Sequence, residues 1–277
     1  NSCISGEGEP PLRLTIAAVA CAGSGVICGI PVQQLREDSV TELNLSNRGL
    51  HVPAAMLVAY LIPATSVLKN CNLLKNRFDV ESAKKLAKIG MEKGIMLSGM
   101  TRDQTEAGFS SQHLQPADAI LIASDLKFMA VLTTLNLDLN KIGAEGAIAI
   151  AKALKVNAVL TILLLGDNKI GDEGAIAIAK ALKVNAVLTT LRLDGNRIGA
   201  EGAKAIAEAL KVNAVLTKLS LWNNNIGNDG AKAIAEALKV NAVLTKLDIR
   251  ANNMGDAGGK AVRDAVKGRS GFVLELY

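Results

Sequence analysis

Residues 131–158 read VLTTLNLDLNKIGAEGAIAIAKALKVNA, and a segment of the same 28-residue length begins again at Val159, Val187, Val215 and Val243 without a gap. A period of this size, repeated five times, marks a linear stack in which each unit touches only its neighbours. Within the unit, Leu135 and Leu137 alternate with Thr134, Asn136 and Asp138, the period-2 rhythm of a short strand. From Gly146 to Lys155 the apolar residues Ala147, Ile150, Ala151 and Leu154 recur at threes and fours, the rhythm of an amphipathic helix. Glu145 near its start and Lys155 near its end suit the helix dipole.

Each strand-to-helix unit returns the next strand parallel to the last. Strands lie about 4.8 Å apart and helices about 8 to 10 Å apart, so the stack is expected to bend with its strands inside. The predicted fold is an α/β solenoid of horseshoe form, with parallel strands on the concave face and helices on the convex face. Asn140 recurs as Asn168, Asn196, Asn224 and Asn252, where the chain leaves the strand and a side-chain amide can satisfy turning backbone. This column reads as structural. The pattern LxxLxLxxNxIGxxGAxxIAxALKxN resembles leucine-rich repeats of the ribonuclease-inhibitor type over at least residues 131–270. That resemblance implies a protein partner docked on the concave face.

The 277 residues contain only 3 % aromatics, so Leu, Ile, Val and Ala supply the core. The net charge of +5 is modest, and Lys155, Lys183, Lys211, Lys239 and Lys267 form a column at the helix ends. With no aromatic platform among the basic residues, nucleic acid is not an expected partner. Cys3, Cys21, Cys28 and Cys71 show neither a CxxC pair nor metal-ligand spacing, and are expected to be reduced and mostly buried, or to form one local bridge. A cytoplasmic location is expected. Because the sequence opens on Asn1, an organelle reached after removal of a targeting peptide stands as the alternative.

Upstream, residues 12–30 are apolar enough to raise a membrane span. An internal duplication argues instead for a buried cap, and Arg13 and Gly23 suit a lipid-spanning helix badly, so a membrane segment is not expected. Thr41, Glu42, Ser46, Leu50 and Leu57 return as Thr105, Glu106, Ser110, Leu114 and Leu121, 64 residues on. The expected layout is an N-terminal cap over 1–39, an array of eight units over 40–270, and a closing strand over 271–277. Nine strands are expected, with a bulge or extra edge strand near residues 94–100.

His51 and His113 lie in turns without a Cys or Ser at catalytic spacing, and the glycines of IGAEG and IGDEG read as turn residues before each helix. Asp138 and Asp194 share a face two strands apart, about 10 Å, too far to share one ion. No catalytic residue, cofactor or metal is expected. What differs between nearly identical units is the candidate for function. On the strand face these differences gather Arg192, Asp194, Lys218, Trp222, Lys246, Asp248, Arg250 and Tyr277, a composition typical of interface hot spots. The alternative for Trp222 is a simple cation–π contact with Arg250. On the helix face Ile148 and Ile176 replace the later Lys204, Lys232 and Lys260 and form a second, weaker candidate patch.

The expected function is that of a noncatalytic protein-binding scaffold acting through the concave face. One alternative is a structural subunit of a large multiprotein assembly. Another is a GTPase-activating protein, since activators of the nuclear-transport GTPase resemble this repeat type, although the strongly acidic tail of such activators is absent from this sequence.

Overall fold

The computed structural model describes residues 25–27 and 29–276; most of the expected cap, Cys3, Cys21, Cys28 and Tyr277 lie outside them. A short helix α1 (Val32–Arg36) precedes alternating strands and helices: β1 (Glu42–Asn44), α2 (Val52–Leu61), β2 (Asn70–Asn72), α3 (Val80–Lys93), β3 (Glu106–Gly108) and α4 (Pro116–Asp125). The regular part follows as β4 (Thr134–Asn136), α5 (Gly143–Leu154), β5 (Ile162–Leu164), α6 (Gly171–Leu182), β6 (Thr190–Arg192), α7 (Ala200–Leu210), β7 (Lys218–Ser220), α8 (Gly227–Leu238), β8 (Lys246–Asp248), α9 (Gly255–Val266) and β9 (Val273–Glu275). The chain divides into two compact units: one ends at Thr101 and takes in Ile120–Phe128, the other holds Arg102–Ala119 and the chain from Met129.

In the second unit β3 to β9 form one parallel sheet in chain order. The register repeats without stagger: Glu106 partners Thr134, then Ile162, Thr190, Lys218 and Lys246, with Val273 closing the series. Leu135, Leu163, Leu191, Leu219 and Leu247 point inward from mid-strand and are buried, as are Leu137, Leu165, Leu193, Leu221 and Ile249 beyond each strand end. They pack against the buried helical row Ile150, Ile178, Ile206 and Ile234, so the core is a continuous sandwich between the strand layer and the helix layer.

Two glycine columns have different tasks. Gly143, Gly171, Gly227 and Gly255 hold φ of 61–63° at the turn into the helix, where only glycine is unstrained. Gly199 departs from them with φ −92°, because the Asp172 carboxylate accepts its N–H at 2.7 Å and that of Gly202 at 2.9 Å, capping α7 from the preceding unit. The second column lies within the helices. A Cβ at Gly146, Gly174, Gly202, Gly230 or Gly258 would lie 2.8–3.0 Å from the Cβ of Ala119, Ala147, Ala175, Ala203 or Ala231 of the unit before. These glycines let successive helices touch, a packing role that their reading as turn residues had missed.

The asparagines bind units together. Asn140 donates from Nδ2 to the carbonyls of Leu137 (2.9 Å) and Phe109 (2.8 Å), and its Oδ1 accepts the N–H of Gln112 (3.1 Å) and Leu114 (2.9 Å). Asn168, Asn196, Asn224 and Asn252 likewise reach back to Leu137, Leu165, Leu193 and Leu221. A second column does the same at the helix ends, where Asn185 donates to the Leu154 carbonyl and its Oδ1 accepts the Leu188 N–H, each at 2.8 Å.

In the first unit β1 and β2 pair in parallel, and near residues 94–100, where a bulge or extra edge strand is expected, Met96 makes an isolated parallel bridge to Asn70 and its carbonyl accepts the Cys71 N–H at 2.8 Å. The Asp125 carboxylate clamps this segment, accepting from the Leu97 N–H (2.9 Å), the Ser98 N–H (2.8 Å) and the Ser98 hydroxyl (2.6 Å). Burial pushes Asp125 up to about 6 and the free Cys71 thiol up to about 12. The 64-residue duplication is visible in local geometry. α2 and α4 each run into a 3-10 turn, at Ile62–Ala64 and Leu126–Phe128, and Asn47 and Gly49 match Ser111 and His113 in positive φ. Among the described residues no helix is long and apolar enough to cross a membrane.

Candidate functional site

The residues singled out on the strand face fall into two linked clusters around Trp222. Arg192, at the end of β6, donates from Nε to Asp194 Oδ2 (2.5 Å) and from Nη1 to Asp138 Oδ2 (3.0 Å). The guanidinium thus bridges Asp138 and Asp194 through two different nitrogens, spanning a separation that the strand spacing makes too wide for a single ion. Gly166, just past β5 in the intervening repeat, adds little bulk beside them: a Cβ there would lie 3.1 Å from Asp138 Oδ1 and 3.5 Å from Arg192 Nε. The remaining Asp138 oxygen accepts the Gly166 N–H at 2.6 Å. Burial raises the Asp138 carboxyl above its ordinary value despite these partners, whereas the Asp194 hydrogen bond raises Arg192 further.

Asp194 also accepts from the Ser220 hydroxyl and, at 3.2 Å, from the backbone N–H of Trp222. The indole above that backbone is 40 % exposed. Beyond it, Arg250 forms a fork with Asp248 (Nε to Oδ1 3.0 Å, Nη2 to Oδ2 2.6 Å) and meets Glu275 Oε2 at 2.7 Å, while Lys246 takes Glu275 Oε1 at 2.7 Å. Arg250 is thus turned to carboxylates. The expected cation–π alternative for Trp222 is not what its geometry provides. Burial alone would raise Asp248, but its bonds to the Arg250 guanidinium and N–H outweigh it and hold the carboxyl below the usual range.

This arrangement corrects the list of exposed site residues. Asp194 and Asp248 are only 5 % and 7 % exposed, because each caps a backbone N–H while clasping an arginine. They position the site from beneath. Arg192, Lys218, Trp222, Lys246 and Arg250 reach solvent, and Lys218 and Lys246 are register partners on β7 and β8. Glu275, which ties Lys246 to Arg250, was absent from the predicted site, as was Asp138. Nothing in a strand-by-strand reading signals that a side chain will reach two strands across. Tyr277 lies outside the described residues. Ile148 and Ile176 on the helix layer are half-buried, so the second candidate patch is smaller than the sequence suggests.

His51 stands at the start of α2 and His113 in a turn at positive φ. Among the described residues no group of three or more His, Cys, Asp or Glu is disposed to hold a metal ion. A cleft of about 350 Å³ in the first unit opens between Val52 and Met56 on α2 and Asp79 and Lys85 beside and on α3, where Asp79 is occupied in capping that helix through the Ser82 N–H at 2.7 Å.

Five segments of the chain, residues 129–151, 156–179, 184–207, 212–235 and 240–262, match the family described as Leucine Rich repeat. The fold is accordingly a leucine-rich-repeat solenoid of the α/β class. No curated protein matches the chain. Among solved structures it is similar to the Actin-Binding Site 2 of leiomodin-1, at 26 % identity and a TM-score of 0.43 over 60 % of this chain and 80 % of that one. It is also similar to the tropomodulin C-terminal domain of Caenorhabditis elegans, at 14 % identity and a TM-score of 0.43 over 68 % and 92 %.

Proposed function

We propose that this chain is a noncatalytic protein-binding scaffold, its repeats of the ribonuclease-inhibitor type, that engages a partner protein through the strand face around Trp222. The observation carrying this reading is an exposed indole whose backbone is pinned by a buried carboxylate. An aromatic held out to solvent by a preorganised support loses little entropy on binding and offers the contact area that dominates interface energies. Around it the buried acids leave cationic tips, those of Arg192, Lys218, Lys246 and Arg250, at the surface. The complementary partner surface presents an apolar pocket ringed by carboxylates.

The clasping of both arginines weighs against a GTPase activator, since Arg192 and Arg250 are each drawn down to two carboxylates rather than extended towards a partner. A cytoplasmic setting suits the reading. Membership in a larger assembly remains compatible with it and is read out by the same experiment. Affinity capture with the wild-type chain and with Trp222→Ala supplies the test: a partner retained by the first and lost by the second supports this site. Equal retention moves the contact elsewhere.

A further inference from the structure

One surface feature is identical in four units and lies away from the strand-face site. Val156, Val184, Val212 and Val240 are 62–75 % exposed, each directly after the Lys that caps the C-terminal end of α5, α6, α7 or α8. The fold does not require valine there, because the following Asn157, Asn185, Asn213 and Asn241 are the buried residues that close the turn. Ala158, Ala186, Ala214 and Ala242 beyond them are exposed as well. Because the sheet register from β4 to β8 has no stagger, equal repeat positions stand at equal height along the strands. The four valines therefore run along one level edge of the second unit.

The charges beside this row are mostly of one sign. The last turns of α5 and α6 carry Lys152, Lys155, Lys180 and Lys183. In α7 and α8 the positions of Lys152 and Lys180 are taken by Glu208 and Glu236, which are occupied by Lys211 (2.6 Å) and Lys239 (2.5 Å). A second copy meeting this edge with its own would set lysines against lysines. Side chains exposed to this degree stand out from the surface and line no hollow, so a folded partner would cover only their tips. A level line of protruding apolar side chains backed by lysines instead fits a plane that is apolar within and anionic on its face. We propose that this edge is a docking surface for an anionic lipid bilayer, with the valines entering the headgroup layer and the lysines lying on lipid phosphates and carboxylates. No spanning helix is involved, and the strand face stays free for its protein partner.

The test is co-sedimentation of the full chain with phosphatidylcholine vesicles, with or without roughly one third phosphatidylserine, the lipid that gives a cytoplasmic leaflet its charge. The chain pellets with the mixed vesicles and stays in solution with phosphatidylcholine alone. Replacing all four valines by serine lowers partitioning by about tenfold or more, because burial of apolar groups contributes alongside charge. Its melting temperature stays at the wild-type value, since the sites are exposed. The fourfold Lys152→Gln, Lys155→Gln, Lys180→Gln, Lys183→Gln variant loses the preference for phosphatidylserine and reads the same surface if the serine variant misfolds. Equal recovery with both vesicle types, or full binding by either variant, overturns the proposal. So does binding to a soluble peptide of alternating Glu and Leu without binding to vesicles, which assigns the edge to a protein.

Discussion

Asp194 Oδ1 accepts the backbone N–H of Trp222 at 3.2 Å, so a carboxylate from one unit fixes the main chain that carries the indole of the next. The same carboxylate holds Arg192 through its other oxygen. Replacing Asp194 by Ala leaves the Ser220 hydroxyl and the Trp222 N–H without their acceptor and Arg192 with Asp138 alone. Chemical denaturation of Asp194→Ala should show a loss of about 1 to 3 kcal/mol, the usual cost of unsatisfied, largely buried polar partners discounted for the solvent that reaches Arg192. A change below a few tenths would mean that the network contributes no support.

Trp222→Ala separates binding from folding. Stability should move by no more than about 0.5 kcal/mol, because the indole is presented rather than packed. Partner affinity should fall by about 2 kcal/mol or more, roughly thirtyfold, as measured by titration calorimetry with the captured partner. The reverse pattern, lost stability with intact binding, would sink the strand-face assignment.

Leu193 is fully buried between units, and Leu193→Ala should cost about 2 to 5 kcal/mol in urea unfolding through the cavity it leaves. Lys204→Ala, whose amine is engaged only with the exposed Glu201 at 2.7 Å, should stay within about 0.5 kcal/mol of the wild type. Comparable losses would show that the two layers have been assigned wrongly.

Gly230→Ala sets two effects against each other. Helix propensity favours alanine by about 1 kcal/mol. The new Cβ, however, would lie 2.9 Å from that of Ala203, forcing α7 and α8 apart, and overpacking of this kind costs about 1 to 3 kcal/mol. The expected net result is destabilisation, read as a lower melting temperature. A stabilised variant would show that the helices can spread freely.

Asp125 gives a pH signature. Its carboxyl rises from 3.8 to about 6 on folding, so between those values the folded chain keeps a proton that the unfolded chain has lost. The stability this contributes is complete below about pH 4 and is lost as pH rises through about 6, amounting to about 3 kcal/mol at about 1.4 kcal/mol per pKa unit. Other carboxylates titrate in the opposite sense, so the quantity to follow is the difference between wild type and Asp125→Asn in urea melts from pH 4 to 7. The wild type should lose ground to the variant across that range. A constant difference would contradict the raising of this buried acid's pKa on folding.

The repeat, the strand and helix of each unit and the 64-residue duplication were all legible, because each leaves a periodic trace of leucines or turns. The pairing of Arg192 with Asp138 was not, since it depends on the length of an arginine side chain that crosses the repeat between them. Looking for function where copies differ found Trp222 and passed over the valine row, which is the same in four of the five copies and gives way to Gly268 in the last. Likewise the helical glycines could not be told from turn glycines by spacing alone. Their task becomes visible only against the alanine of the neighbouring helix.

Each asparagine amide completes hydrogen bonds in the unit before its own, as Asn140 does for Phe109, Gln112 and Leu114. The dependence runs in one direction along the chain. On the ribosome, where residues emerge from the N-terminal end, a unit whose own leucines are all present still has open donors and carbonyls until about 28 more residues have left the tunnel. The growing array therefore always carries one unfinished unit at its tip, and it is there, rather than along its completed length, that a nascent chain of this design is exposed to chaperones and to mispairing.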